Sequence, residues 1–446
     1  MNKIQNSEDT IAALATPIGA GGIGIIRISG PCALKIGSKL FSKNLIKVQT
    51  HTAVFGKISD TGVIIDEGLA LVMRSPNSYT GEDTIELQCH GSPLILDKVL
   101  CAAVNYGCRI ANPGEFTQRA FLNGKIDLTK AEAIQQLISS KNIFSLNTAR
   151  RNFEGGLKEK VSGFQKTILD VCAELEAWID FPDEDLSFEM GETLCEKVKA
   201  LIRHIESFKN TYSDGALIEN GFSICLIGAP NVGKSSLLNT LSKKNCAIVT
   251  EIAGTTRDTL HEEIAIGELH CRVLDTAGIR STDNIIEKEG IERAKKAAKN
   301  ADVVIALADI NNPYFPKFPY KDEKTIFALN KADMKAPRSN PEGYLEISAK
   351  TGKGIELLKN HIKQKVLKHN SLGKEDLILT NKRHYDAIDK SLQSLIVACN
   401  GLQSYLSPEF IISDLRVSLS ELNKIIGIDI SEELLSNIFS KFCVGK

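Results

Sequence analysis

Short apolar runs and turn clusters alternate through the first 120 residues, where "GIGIIRIS", "TAVFGKI", "EGLALVM" and "DTIELQC" have the length and β-branched content of strands. One helical pattern, "SPLILDKVLCAAVNYG", interrupts them, and the mixture predicts an α+β domain. From "DLTKAEAIQQLI" onward the period becomes helical. Phe164, Ile168, Val171, Cys172, Leu175, Trp178 and Ile179 recur at spacings of three and four, one stripe of a bundle helix. "DFPDEDLSF" breaks the pattern with a proline and a cluster of acids. Helical spacing is expected again only after residue 377, in Ile388, Leu392, Leu395, Ile396 and Cys399, then in Leu415, Leu419, Leu422, Ile425 and Ile426.

Between the helical blocks the rhythm is βαβ, with strand candidates "FSICLIG", "HCRVLDTAG", "DVVIALAD", "TIFALN" and "YLEIS". The predicted organisation is multidomain. An α+β N-terminal domain spans 1–120, and a discontinuous all-α domain spans 121–216 and 377–446. An α/β domain is inserted at 217–376.

Composition narrows the class. A chain of 446 residues exceeds one ordinary core, and 43% hydrophobic with 24% charged residues describes a globular protein. The formal net charge of -1 excludes a polycation, so any nucleic acid must meet local basic surface or surface shared with a partner. The 11 cysteines form no CxxC pair and no zinc-spaced cluster, which points to reduced thiols and a cytoplasmic address. "IAALATPIGAGGIGII" has the look of an export signal, but Pro17, Gly19, Gly21, Gly22 and Gly24 interrupt it, and Glu8 and Asp9 oppose Lys3. It reads instead as a glycine-rich loop running into a strand, and no membrane span is expected.

"GAPNVGKSS" carries the chemistry. It fits G-x-x-x-x-G-K-[ST] between an apolar strand and a helix, the setting a phosphate-binding loop requires. Asn231, Val232, Gly233, Lys234, Ser235 and Ser236 are the candidate phosphate contacts, with Lys234 on the outer phosphates and the Ser235 hydroxyl on Mg²⁺. "DTAG" places Asp275 near Mg²⁺ and the Gly278 amide near the γ-phosphate. "NKAD" supplies Asn330, Lys331 and Asp333, whose carboxylate accepts two hydrogen bonds from guanine but finds no such donor pair on adenine. "SAK", Ser348, Ala349 and Lys350, backs the base. These motifs, in this order, predict a GTPase of Ras-like α/β fold.

Ile279 stands where Ras-like enzymes carry the glutamine that orients water. Glu287, in the acidic start of a following helix, is a candidate replacement; the alternative is that Glu287, Glu289 and Glu292 decorate a solvated face. Thr256 in "AIVTEIAGTTRD" is the candidate Mg²⁺-sensing threonine. Asn231 is a neutral oxygen donor that, with backbone carbonyls of this segment, suits a monovalent cation.

The run "GAPNVGKSSLLN…AIVTEIAGTTRD…DTAGIR…GIERA…NKAD…SAK" resembles the tRNA-modification GTPases of the MnmE (TrmE) type. So do "ATPIGAGGIGIIRISG", "PNSYTGEDTIELQCHG", "RIANPGEFTQRAFLNGKIDLTKAEAI" and the terminal "FCVGK", in order over the whole chain. The resemblance implies an N-terminal tetrahydrofolate-binding domain that makes a homodimer, and an FAD-dependent MnmG (GidA)-type partner in a heterotetramer, with FAD only on the partner. The implied product is an aminomethyl or carboxymethylaminomethyl group at C5 of the wobble uridine of certain tRNAs, its carbon drawn from a 5-formyl or 5,10-methylene tetrahydrofolate. It also implies that G domains pair when GTP and K⁺ bind. By residue, it puts K⁺ on the Asn231 side chain, the carbonyls of Thr250 and Ile252, and Thr255. Mg²⁺ falls on Ser235 and Thr256, water orientation on Glu287, and folate on Arg27, Glu86, Lys125 and Lys446. Cys89 departs from the family pattern in "LQCHGS", where it would crowd a loop near the folate site.

The tail "SEELLSNIFSKFCVGK" predicts a short helix with Ser431 as N-cap and a docked stripe of Leu434, Leu435, Ile438, Phe439 and Phe442. Gly445 and Lys446 do not fit a prenylation box. Cys443 is then either a plain buried thiol or, as the resemblance implies, a thiol delivered to the modification site as acid/base or nucleophile. Two rival functions lack their sequence features. A ribosome-assembly GTPase acting as an RNA-binding switch would carry a basic RNA-binding appendage, and a membrane-remodelling GTPase an apolar insertion element.

Overall fold

The computed structural model describes residues 9–180, 188–242, 262–267, 269–274, 296–316, 323–334, 343–369 and 377–446. Two compact units are distinguished: Met1–Ile138 with Arg150–Val198 and Gln393–Lys446, and Ser139–Ala149 with Lys199–Leu392.

In the first unit β1 (Ile11–Leu14), β2 (Gly21–Ser29), β3 (Thr52–Asp60), β4 (Val63–Met73), β5 (Thr84–Gly91) and β6 (Arg109–Ile110) form a sheet in the order β3-β4-β5-β2-β1-β6. Neighbours run antiparallel except β1 and β6. Alternation along β2 and β5 turns Ile26, Ile28, Ile85 and Leu87 into a core closed by α1 (Ala33–Leu40) and α2 (Pro93–Asn105). The sequence predicts α2 but not α1, which is too short for its apolar positions to stand out. The opposite residues of that strand pair point away from this core, and among them are Arg27 and Glu86, directly across from each other.

The helical part begins earlier than its period suggests, with α3 (Glu115–Leu122), and continues through α4 (Leu128–Ser139), α5 (Ile143–Phe153) and α6 (Gly156–Asp180). The stripe expected along α6 is buried from Leu157 to Leu175. It stops there, because Trp178 is half-buried and Ile179 is exposed. Helical structure also does not wait for residue 377. The helices α7 (Phe188–Asn210) and α8 (Tyr212–Asn220) precede the α/β part, and Leu194, Val198, Leu201, Ile205 and Phe208 of α7 are buried at helical spacing.

In the second unit β7 (Phe222–Ile227), β8 (Glu262–Ile266), β9 (Leu269–Leu274), β10 (Val303–Asp309), β11 (Thr325–Asn330) and β12 (Leu345–Glu346) are ordered β12-β11-β10-β7-β9-β8, and only β8 is antiparallel. Every residue of β7 is buried, as the middle strand of a two-faced parallel sheet requires. The sheet has β9 on one side of β7 and β10 on the other, so the strand order reverses there. That makes the carboxyl end of β7 the switch point where open α/β sheets bind ligands. The helix α9 (Lys234–Ser242) starts there, and α10 (Ile355–His369) packs Ile355, Leu358, Ile362 and Val366 into the same core.

After α11 (Lys382–Gln403), α12 (Pro408–Ile426) lies along α6, with Gln165 Nε2 donating to Asn423 Oδ1 at 2.8 Å. The last helix, α13 (Glu432–Phe439), is N-capped by Ser431, whose hydroxyl accepts from Leu434 N. Leu435, Ile438, Phe439 and Phe442 pack on Leu128 and Ala131 of α4, so the tail is docked as its stripe predicts. Each such buried side chain contributes roughly 1.5–3 kcal/mol. No helix among the described residues is long and apolar enough to cross a membrane.

Candidate functional site

The loop after β7 turns on two left-handed residues, Asn231 at φ 62° and Gly233 at φ 95°. Asparagine tolerates that conformation better than most side chains. Gly233 is obligatory for a second reason, since an ideal Cβ there would stand 2.3 Å from Asn330 Nδ2. Gly228 leaves equally little room, its Cβ falling 2.3 Å from Leu307 O of β10. Lys234 opens α9 and folds back over the loop, donating Nζ to Gly228 O and Ala229 O, each at 2.9 Å. Burial lowers its pKa, so a phosphate that takes over these contacts meets an ammonium with few competing waters. Ser235 and Ser236 follow on the first turn of α9, and Val232 is buried beneath the loop.

Asn330 fastens this loop to the base-side loops. Its Nδ2 donates to Val232 O at 2.8 Å and its Oδ1 accepts from Ala349 N at 3.0 Å. Lys331, in the left-handed region at φ 67°, is held by Asp309 Oδ2 at 2.6 Å. Asp333 is exposed for a ligand, and its Oδ1 accepts from the Ser348 hydroxyl at 2.6 Å. That hydrogen bond lowers the carboxyl's pKa, with help from the nearby Lys350, so it presents a full carboxylate. Thr240 Oγ1 of α9 donates to Ala349 O at 2.7 Å. The structure thus brings Val232, Lys234, Asn330, Lys331, Asp333, Ser348, Ala349 and Lys350 together. Sequence reasoning missed Asp309 and Thr240. Asp309 carried a readable signal, a lone acid ending an apolar strand of a parallel sheet. Thr250, Ile252, Thr255, Thr256, Asp275, Gly278 and Glu287 lie outside the described residues.

A second constellation lies in the first unit. The Arg27 guanidinium donates Nε to Glu86 Oε1 at 2.9 Å, with Nη2 at 2.8 Å from the same oxygen. The Tyr79 and Phe116 rings flank it, at 5.8 and 5.6 Å from their centroids. Its Nη1 donates to Gly445 O of the C-terminal tail at 3.1 Å. The tail closes a tight turn, Lys446 N donating to Cys443 O at 3.3 Å with Gly445 at φ 91°, the conformation a type II turn asks of its third residue. Gly114 N also donates to Cys443 O at 3.3 Å. Arg27, Glu86 and the tail ending in Lys446 therefore meet. Lys125 contacts the adjoining loop instead, through Pro76 O at 2.9 Å.

Two expectations are corrected here. Cys443 is exposed, which removes the plain buried thiol. Cys89 is buried in the sheet core, where burial pushes its thiol up to about 12; it crowds no ligand loop.

An ion network centred on the buried Arg119 backs this face. Arg119, 4% exposed, donates to Asp9 Oδ1, Glu115 Oε1 and both oxygens of Glu82, while Arg109 holds Asp9 and Glu115 from the other side. Burial alone would raise the carboxyl pKa values of Asp9 and Glu115; the arginine hydrogen bonds outweigh it and lower both.

A phosphate loop at the switch point of a doubly wound sheet, with a lysine over it and a base loop ending in an exposed carboxylate, defines a P-loop GTPase. Here that domain accompanies an α+β N-terminal domain and a discontinuous helical domain. Residues 128–443 match the profile described as MnmE helical domain, and residues 10–125 match that of the GTP-binding protein TrmE N-terminus. The chain is 43% identical over 450 residues to the tRNA modification GTPase MnmE of Protochlamydia amoebophila, covering 98% of each chain. It is 41% identical over 443 residues to that of Chlamydia trachomatis, and 40% over 455 residues to that of Coxiella burnetii, covering 98% of this chain and 99% of the other in both cases. The chain belongs to the MnmE (TrmE) family of tRNA modification GTPases.

Proposed function

We propose that this protein is a potassium-dependent GTPase of tRNA wobble-uridine modification. It acts in the cytoplasm as a homodimer, with an FAD-dependent MnmG (GidA)-type partner in a heterotetramer. The observation that carries the reading is the C-terminal turn that starts at Cys443: its Gly445 carbonyl accepts from Arg27, which also holds Glu86, in a chain that also holds a guanine-nucleotide site.

The nucleotide groups fit the residues present. The Lys234 ammonium, held on loop carbonyls, transfers to phosphate oxygens, and Asp333 accepts from the N1–H and 2-amino group of guanine. Ser235, at the start of α9, and Thr256 would hold Mg²⁺, and the DTAG motif assigns Asp275 to the metal and the Gly278 amide to the γ-phosphate. Asn231, exposed and in the left-handed region, has a side-chain oxygen that would ligate K⁺, with the carbonyls of Thr250 and Ile252, and Thr255, as the further ligands the family resemblance implies. The cation would supply the charge an arginine finger supplies elsewhere. Glu287 orients the water that attacks the γ-phosphorus as GDP leaves.

At the other constellation a tetrahydrofolate fits the chemistry of the donor set. Glu86 offers a carboxylate to the amino–amide edge of a pterin, the partly exposed Tyr79 offers an aromatic ring, and Arg27, Lys125 and Lys446 suit carboxylates of the folate tail. Bound there, the folate supplies a one-carbon unit for C5 of the uridine, and Cys443 acts as acid/base or nucleophile.

The test is nucleoside analysis of tRNA from cells whose only copy carries Cys443→Ser, with hydrolysis assays of that protein in potassium and in sodium. Loss of C5-aminomethyl-type wobble uridines with potassium-stimulated hydrolysis intact is expected. Persistence of the modified nucleosides would move the chemistry to the partner, and equal hydrolysis in sodium would remove the potassium site.

A further inference from the structure

Arg27 and Glu86 are cross-strand partners in the β2–β5 register, and their ion pair by itself would be an ordinary feature of a sheet face. What sets Arg27 apart is its third contact. The guanidinium donor fork is divided, Nε and Nη2 going to Glu86 Oε1 and Nη1 to Gly445 O of the terminal turn. The two aromatic rings flanking it hold the fork in one orientation.

The turn itself has little freedom. An ideal Cβ on Gly445 would fall 2.1 Å from Leu14 O, so the tail lies backbone against backbone on the end of β1. The turn is held on one side by Gly114 N on Cys443 O and on the other by Arg27 on Gly445 O. The exposed Cys443 thiol is carried at its first position.

We propose that Arg27 is a positioning residue for Cys443, transmitting the placement of Glu86 to the C-terminal turn. The functional meaning rests on the modification role of Cys443 given above; the positioning itself is read without it. Anything that binds Glu86 then also bears on where the thiol stands. Lysine cannot replace Arg27, because one ammonium cannot span the carboxylate and the tail carbonyl in this fixed fork geometry.

The experiment is hydrogen exchange of the C-terminal peptide in the full chain without ligand, with thermal unfolding in parallel. The variants are Arg27→Lys, Glu86→Gln, the exchanged pair Arg27→Glu with Glu86→Arg, and Gly445→Ala as the undocked reference. Loss of a charge-assisted hydrogen bond from Arg27 should speed exchange of the peptide roughly tenfold or more in Arg27→Lys. The exchanged pair should recover the stability lost in Glu86→Gln while its tail stays as open as in Gly445→Ala. Tail exchange within twofold of the parent in Arg27→Lys would overturn the proposal. So would an exchanged pair that restores protection along with stability, since Arg27 would then be only half of an ion pair. Failure of the modification reading shows separately, in the tRNA nucleosides.

Discussion

The side chain of Asn330 reaches from the end of β11 to the carbonyl of Val232 in the phosphate loop, at 2.8 Å, while its other end receives the Ala349 amide. One buried carboxamide thus sets the separation between the loop that holds phosphates and the loops that hold the base. Asn330→Ala leaves a buried carbonyl and a buried N–H unpaired, each costing about 1–3 kcal/mol. Calorimetry should show the transition of this domain at lower temperature, and nucleotide titration should show GTP affinity down by roughly tenfold or more.

Asp333 carries base choice, and Ser348 determines how. The Ser348 hydroxyl donates to Oδ1, which leaves Oδ2 toward the ligand. In Asp333→Asn the amide keeps its oxygen on Ser348 and turns its NH2 toward the base, donor against donor at the guanine 2-amino group. Competition binding should show GTP weakened by about 100-fold. Xanthosine triphosphate, with a carbonyl at that position, should bind the variant better than the parent. Equal preference for GTP in both proteins would remove Asp333 from the base site.

Much of this site is legible in sequence because its chemistry is local. A strand, a glycine-bearing loop and a helix start put Lys234 and Ser235 in place within a few residues, and "NKAD" and "SAK" do the same at the ends of two further strands. What is not legible depends on partners distant in sequence. Helix α7 is masked by the acids before it, and its apolar positions acquire meaning only against a packed neighbour. Trp178 and Ile179 continue the period of α6 but not its burial, since period says nothing of where packing ends. The exposure of Cys443 follows from a turn that only Gly445 permits, seated on Leu14 far away in the chain.

Acid should act first on the N-terminal domain. Asp9 and Glu115 have pKa values lowered in the folded state, because hydrogen bonds from Arg109 and Arg119 outweigh the effect of burial. Their stabilisation is full above the ordinary carboxyl values of 3.8 and 4.5 and is lost as pH falls through the lowered ones. Protonation would leave the buried Arg119 with Glu82 as its one remaining carboxylate partner in this network, its Nε already lacking a partner. Fluorescence and circular dichroism between pH 5 and pH 2 should show the loss; Glu115→Gln should lower stability at neutral pH and flatten its dependence on acid. An unchanged slope in that variant would place the acid-sensitive group elsewhere.

Two changes of similar cost to stability should have opposite effects on function, which separates tail docking from tail folding. Ser431→Ala removes the hydroxyl that accepts from Leu434 N, a cap worth about 1 kcal/mol. It leaves the apolar stripe of α13 and the seat of the turn untouched, so wobble-uridine modification should persist. Gly114→Ala acts on the seat. Gly114 sits at φ 69°, where a β-carbon costs about 1–2 kcal/mol, and its Cβ would lie 2.6 Å from Phe439 O and 2.9 Å from Phe442 Cβ. The turn would have to move off its amide donor, carrying Cys443 with it. Thermal unfolding should place both variants a few degrees below the parent, by roughly the shift that 1–2 kcal/mol gives in a domain of this size. Nucleoside analysis should find the modified uridines retained in Ser431→Ala and depleted in Gly114→Ala. Equal depletion would mean that stability of the tail helix, rather than the position of its last four residues, is what the reaction needs.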